Sequence, residues 1–262
     1  MGFSADWLAL REPADLAARD PAMLRRAAEA AGPSPIVLDL GCGTGATMRA
    51  MSSHLDQMTR WRLVDNDPDL LRRAAAEPGV QADPVEADLS DISALPLDGV
   101  GLVTASALLD LVSEDWLKAL AERIEAPFYA ALSYDGVMSW DPEDPNDATI
   151  TAAFNAHQTM DKGFGPALGP HAVSRAAEIF ADAGFSVMRA PSPWQLAPEM
   201  HFLQRMLTDG ISRAAEEAGA AEAEAWGRLR HEAAPETTCW IGHEDFLATP
   251  NAAPKDAMHA PS

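Results

Sequence analysis

Short apolar runs alternate with amphipathic stretches from residue 35 to residue 134. "PIVLDL" is apolar at nearly every position, the pattern of a strand buried on both faces of a parallel sheet. "RWRLVD", "VEAD", "VGLVTAS" and "PFYAALSY" supply four more strand segments. Between them lie stretches suited to helices. These are residues 44–58, "NDPDLLRRAAAEPG" and "SEDWLKALAERIE". In the second, Asp67 is placed to cap, Pro68 occupies the first turn and Gly79 marks the exit. Alternating strands and helices of this length predict βαβ units in a doubly wound, mostly parallel sheet with helices on both faces.

The flanks extend this α/β plan. Residues 12–31 read as helix interrupted at "RDPAM", where Asp20 caps, Pro21 starts the next segment and Gly32 ends it. After the fifth strand, residues 135–169 are rich in Pro, Gly and Asp and contain Trp140, Phe154 and Phe164, which predicts a partly ordered lid. "PHAVSRAAEIFADAG" is a helix and "FSVMRAP" a sixth strand. Residues 198–232 read as two helices broken at "DG", inserted before the last strand, "TTCWIGHEDFLATP". The expected architecture is therefore a seven-stranded sheet over residues 35–250. N-terminal helices (1–34) are expected to cover its site, and residues 251–262 to form a disordered tail.

Charge narrows the partners. The 262 residues carry a formal net charge of -21, with no Lys/Arg run to offset it. So acidic a surface repels phosphate backbones and anionic lipid, which argues against nucleic acid and membrane as partners. Two cysteines, Cys42 and Cys239, make no disulfide framework and suit a reducing compartment. The N-terminus lacks a basic, signal-like segment, and a cytoplasmic protein is expected. A monomer and a homodimer are both compatible with the pattern. The seven histidines are scattered without metal-ligand spacing, so no metal site is expected.

The chemistry concentrates at "IVLDLGCGTGATM". Gly41, Gly43 and Gly45 join a strand to a helix, where backbone N–H groups can press against a ligand. Gly41, Gly43 and Ala46 also satisfy the looser dinucleotide fingerprint. The acids sharpen the reading. Asp39 ends an apolar strand, where a bare carboxylate is costly unless something compensates it, as an ammonium group would. Asp65 ends the second strand, about 20 residues beyond the loop, the position of a ribose-hydroxyl acceptor. Asp88 ends the third, placed to accept from an exocyclic amine. Three acids fit an amine, a ribose and an adenine better than a pyrophosphate.

"VLDLGCGTG", "LVDNDPDLL", "VEADLSDI" and "GVGLVTASALLDLVSEDWL" together resemble the class I S-adenosylmethionine-dependent methyltransferases. The resemblance covers residues 35–135 well and the later strands more loosely. It implies a Rossmann-like methyltransferase fold with S-adenosylmethionine as cofactor. It further implies that Gly41, Cys42, Gly43 and Gly45 approach the methionine portion, whose amino group Asp39 supports. Asp65 and Asn66 take the ribose, Asp88 and Leu89 the adenine, and Ala105 and Ser106 lie near the methionine end. The chain departs from the family at Gly101, where an acid is common, and in the insertion at 198–232. "TASALLD" also lacks the Asn/Asp-Pro-Pro-aromatic tetrapeptide of enzymes that methylate adenine or glutamine nitrogen.

On the acceptor side, His157 and Asp161 are four apart, which on a helix would pair a base with its orienter, with Lys162 adjoining. Asp110 follows the fourth strand, and Tyr134 and Asp135 end the fifth. Trp140 and Trp194 are candidate walls for an acceptor, and His201 begins the insertion. The expected function is methyl transfer to a small molecule, oxygen slightly ahead of nitrogen. An NAD-dependent oxidoreductase and a non-catalytic S-adenosylmethionine-binding protein are the competing readings.

Overall fold

A computed structural model describes residues 4–251. The expected tail falls almost wholly outside the described residues. Among the described residues eight strands form a single sheet: β1 (Ile36–Leu40), β2 (Arg60–Asp65), β3 (Gln81–Glu86), β4 (Leu102–Ser106), β5 (Phe128–Asp141), β6 (Phe185–Pro191), β7 (Trp194–Leu196) and β8 (Thr238–Pro250). Their order is β3-β2-β1-β4-β5-β8-β6, with the short β7 pairing to β8. Strands β1 to β5 are parallel, and β8 runs antiparallel to β5, β6 and β7. The seven-strand plan therefore stands, with β7 as a small addition.

Among the described residues nine α-helices flank it: α1 (Ala5–Ala18), α2 (Pro21–Ala31), α3 (Ala46–Met51), α4 (Pro68–Ala75), α5 (Glu114–Arg123), α6 (Asp147–Gln158), α7 (Ala172–Asp182), α8 (His201–Glu217) and α9 (Ala223–Ala233). One face of the sheet packs Trp116 and Leu117 of α5 and Val173 and Phe180 of α7 against Leu38, Val103 and Phe246. The other packs Leu24 of α2, Met48 and Met51 of α3 and Leu71 of α4 against Val37, Leu63 and Leu247. Both faces are covered, which is why β1 and β4 read as unbroken apolar runs.

Four readings need correction. The helix expected over 44–58 is only α3, because the Ser52 hydroxyl takes the Arg49 carbonyl and the Asp56 carboxylate takes the Met58 N–H. Such side-chain bonds compete with the helical ladder. The expected irregular lid is largely regular. β5 continues to Asp141, α6 follows, and irregular backbone is left mainly between Thr159 and Leu168. The long ends of β5 and β8 project past the rest of the sheet and carry a third core of Met138, Trp140, Ile150, Leu203, Trp226 and Ile241. Trp140 belongs to this core, edge-on to Trp226, and is no acceptor wall. Finally, α8 runs straight through Asp209–Gly210, and the break comes at Gly219, with φ +92°. One helical glycine costs only ~1 kcal/mol, which the buried face of Leu203, Ile211 and Ala215 outweighs. Gly219 instead takes the left-handed conformation that ends helices.

Candidate functional site

The carboxyl ends of β1, β2 and β4 meet under α1. Gly41, Gly43 and Gly45 all have positive φ, 67°, 53° and 86°. The Gly41 and Cys42 N–H groups both donate to the Val64 carbonyl at the end of β2. Asp65 continues the tie: Oδ2 accepts from Gly43 N–H at 2.8 Å and Oδ1 from Asp67 N–H at 3.0 Å. Beside this loop Leu8 of α1 lies so close that a Cβ on Gly43 would stand 3.0 Å from its Cδ1. Cys42 is buried, and burial pushes its thiol far up, so it is a packing residue of the loop and no nucleophile.

Asp39 is 1% exposed. The Thr104 hydroxyl on β4 donates to its Oδ1 at 2.8 Å, while Oδ2 is buried with no partner among the described residues. Burial raises its carboxyl to about 7, against the pull of Thr104 and of Arg19. Arg19, which closes α1, is 3% exposed. Its Nη2 donates to Ser106 Oγ at 2.9 Å and Thr47 Oγ1 at 3.3 Å, and its Nη1 is buried without a partner among the described residues. A lone carboxylate oxygen and a lone guanidinium nitrogen thus flank the glycine loop, matching an ammonium and a carboxylate on one ligand. Arg19 carries no sequence signal: it falls in the junction between two helices, outside any motif.

The ribose and adenine candidates sit farther out. Asn66 and Asp88 are exposed, and Asp88 accepts from Ser90 N–H at 2.9 Å, which lowers its carboxyl. Leu89 is buried, its carbonyl bonded by Trp116 Nε1, and its Cδ1 faces Gly41. Ala105 is buried at the end of β4. α1 is fastened over this side by Glu12, whose carboxylate holds Arg49 of α3 at 2.5 and 2.7 Å.

The acceptor-side candidates do not all converge. Asp110 is 9% exposed, with Oδ1 buried and unpartnered among the described residues. Burial raises its carboxyl to about 6 although Arg11 and Lys162 pull it down. Tyr134 is near it, but its hydroxyl donates to Asn155 Oδ1 at 2.8 Å and burial pushes its ionisation far up, so it stays a phenol. Asp161 does not orient His157. α6 ends at Gln158, so the two share no helix face, and Asp161 caps the amides of Gly163 and Gly165. His157 instead bridges Lys162 and Glu217. Asp135 is half-buried, its carboxylate against Gly242 where any Cβ would collide with it. His201 bonds the Pro198 carbonyl on the outer helices.

Sequence reasoning missed Arg11, Asp15 and His243. Arg11 pairs with Asp15 through two bonds of 2.9 and 3.1 Å and lies over the Trp194 ring at 5.1 Å. Trp194 in turn donates to Asp15 and tilts against the His243 ring. Burial and Arg11 lower His243 to about 3, so it is neutral. The spacing of Arg11 and Asp15 was legible, but only the docking of α1 against β7 and β8 buries the pair.

Residues 37–126 match the family described as "Methyltransferase domain". No curated protein matches the chain in sequence. Among solved structures, the chain is similar to a cyclopropane-fatty-acyl-phospholipid synthase-like protein from Lactobacillus casei, at 14% identity and TM-score 0.55, covering 95% of each chain. It is also similar to the YcgJ protein from Bacillus subtilis, at 14% identity and TM-score 0.51, covering 89% of this chain and 100% of that one. At such identities the likeness is one of fold. Residues 37–126, about a third of the chain, are thus similar to the methyltransferase domain, and the described residues share the Rossmann-like α/β fold. No described helix is long and apolar enough to cross a membrane, and no His/Cys/Asp/Glu group among the described residues could hold a metal ion.

Proposed function

We propose that the protein transfers a methyl group from S-adenosylmethionine to a hydroxyl of a small-molecule acceptor, with Asp110 as the proton acceptor. The observation that carries the cofactor assignment is the pair of buried, unpartnered atoms Asp39 Oδ2 and Arg19 Nη1 beside the glycine loop. Asp39 holds the ligand ammonium and Arg19 the carboxylate. Asp65 takes the ribose hydroxyls, and Leu89 and Asp88 flank the adenine. Bound there, the cofactor supplies an electrophilic methyl on a sulfonium.

The remaining work is done by position and desolvation. α1 covers the loop and excludes water. Asp110, buried yet ionised above pH 6, is suited to take the acceptor's proton in the transfer. The strongly acidic surface supports a small molecule over nucleic acid.

Calorimetric titration with S-adenosylhomocysteine and NAD tests the cofactor half in wild type and Asp65→Ala. Binding of S-adenosylhomocysteine alone, weakened in the variant, is expected. Preference for NAD would sink the assignment. For the acceptor half, Asp110→Asn should retain S-adenosylhomocysteine binding and lose methyl transfer across a panel of hydroxylated small molecules.

A further inference from the structure

Arg19 stands where two helices meet, and its backbone is held as closely as its side chain. It closes α1 in extended backbone, φ -54° and ψ 135°, and Asp20 opens α2. The peptide joining them donates its N–H, on Asp20, to Asp245 Oδ2 at 3.1 Å. The Asp20 carboxylate is engaged elsewhere, accepting from Met23 N–H at 2.7 Å. Asp245 is fully buried on β8. Its Oδ2 also accepts from the Tyr129 hydroxyl at 2.9 Å, and its Oδ1 from Leu132 N–H at 3.0 Å. Burial and the Asp245 charge push Tyr129 ionisation far up, so the phenol stays a donor. A buried carboxylate that accepts from three donors is a fixed point in the core.

That point lies opposite a bulge. Between Ala130, paired to Phe246, and Ser133, paired to Glu244, two residues of β5 face the single Asp245. A bulge takes one residue out of the ladder and re-aims it. Here Leu132 takes φ +56°, and its N–H turns to Asp245. The neighbouring Ala131 carbonyl accepts from Ala107 N–H at 2.9 Å, and Ala107 has φ +50°. Ala107 follows Ser106, whose hydroxyl receives Arg19 Nη2. Three non-glycine residues among the described residues have left-handed backbone, and two of them thus stand on the two supports of Arg19. Such conformations are costly and persist only where the surroundings impose them.

We propose that Asp245 is a positioning residue for the cofactor: by gripping the Asp20 N–H it sets the place of the Arg19 guanidinium, and so the fit of the ligand carboxylate. The proposal rests on the reading of Arg19 as the group that takes that carboxylate.

The experiment is calorimetry on the whole protein with S-adenosylhomocysteine and with methylthioadenosine, which lacks the amino-acid end. Asp20→Pro removes the N–H. The φ of -71° at residue 20 suits proline, and the extended Arg19 accepts one after it. Asp20→Ala loses the same helix cap but keeps the N–H, so the difference between the two variants isolates the grip on Asp245. Asp20→Pro should bind S-adenosylhomocysteine about fivefold or more weakly than Asp20→Ala, while methylthioadenosine differs by less than about twofold. Asp245→Asn, left with one carbonyl oxygen for three donors, should show the same split against wild type. In an Arg19→Met background the two Asp20 variants should bind S-adenosylhomocysteine alike, because the grip then has nothing to place. Equal weakening of both ligands, the mark of a merely structural role, overturns the proposal. So does a difference between the Asp20 variants that survives Arg19→Met. If Arg19→Met alone leaves S-adenosylhomocysteine affinity unchanged, the reading of Arg19 fails and the proposal goes with it. If Arg19→Met weakens binding but the two Asp20 variants bind alike, that reading stands and only the role of Asp245 falls.

Discussion

Replacing Arg19 by Met tests the most specific feature of the cofactor site. Of the three buried arginines among the described residues, Arg11 pairs with Asp15 and Arg230 with Asp147, whereas Arg19 has no carboxylate partner and is held by two hydroxyls with Nη1 unspent. If Nη1 receives the ligand carboxylate, its loss removes a charged hydrogen bond of about 1.5–3 kcal/mol. That corresponds to about 10- to 150-fold weaker binding of S-adenosylhomocysteine. The loss also removes a charge that pulls Asp39 down, so more Asp39 is neutral near pH 7 and the ammonium contact weakens too. Methylthioadenosine has the same nucleoside without the amino-acid end, and its affinity should change by less than about threefold. Calorimetry with both ligands, at pH 6 and pH 8, separates the effects. Wild-type affinity for S-adenosylhomocysteine should fall as pH drops through 7, because Asp39 must be ionised to hold an ammonium. Equal weakening of both ligands would mean a damaged pocket. No weakening of either would refute the role given to Arg19.

Other outcomes follow from buried charge. Asp39 and Asp110 titrate near 7 and 6 in the folded chain, above the ordinary carboxylate value of about 3.9, so the unfolded chain is the more easily ionised. These two carboxyls should thus take several kcal/mol of stability from the ligand-free protein as pH rises from about 4 to above 7, and His243, held down to about 3, gives part of it back over the same range, leaving a smaller net loss. Urea unfolding at pH 5 and pH 8 checks this, and an unchanged or higher midpoint at pH 8 would contradict the burial of both groups. Asp245→Ala should destabilise by about 3 kcal/mol or more, since the buried Tyr129 hydroxyl and the Leu132 and Asp20 amides lose their acceptor. Denaturant midpoints measure it. Arg230→Met should cost about 3–5 kcal/mol by stranding Asp147, with hydrogen exchange rising first in α9.

The chain's own pattern determined the sheet and its binding edge. Apolar runs marked β1 and β4, since burial on both faces leaves little choice of residue, and Asp65 marked the end of β2. The glycine loop with Asp39 and Asp65 was legible for the same reason, as a local backbone demand next to acids that an apolar strand end tolerates only with compensation. What the sequence did not disclose depends on packing between distant segments. The lengths of β5 and β8 come from pairing with each other, from Asp141 with Thr238 to Phe128 with Ala248, and no local propensity announces it. The continuity of α8 across Asp209–Gly210 comes from its buried face, which outweighs a helix-breaking pair. Arg11 and Arg19 look like surface residues until α1 docks over the loop and removes them from water. His157 and Asp161 shared a helical spacing, yet α6 stops before Asp161, so tertiary contacts assigned one to Lys162 and Glu217 and the other to a turn. Local sequence sets which backbone can bend or bury. Only the assembled fold decides which charges are left without partners, and those are the groups that meet a ligand.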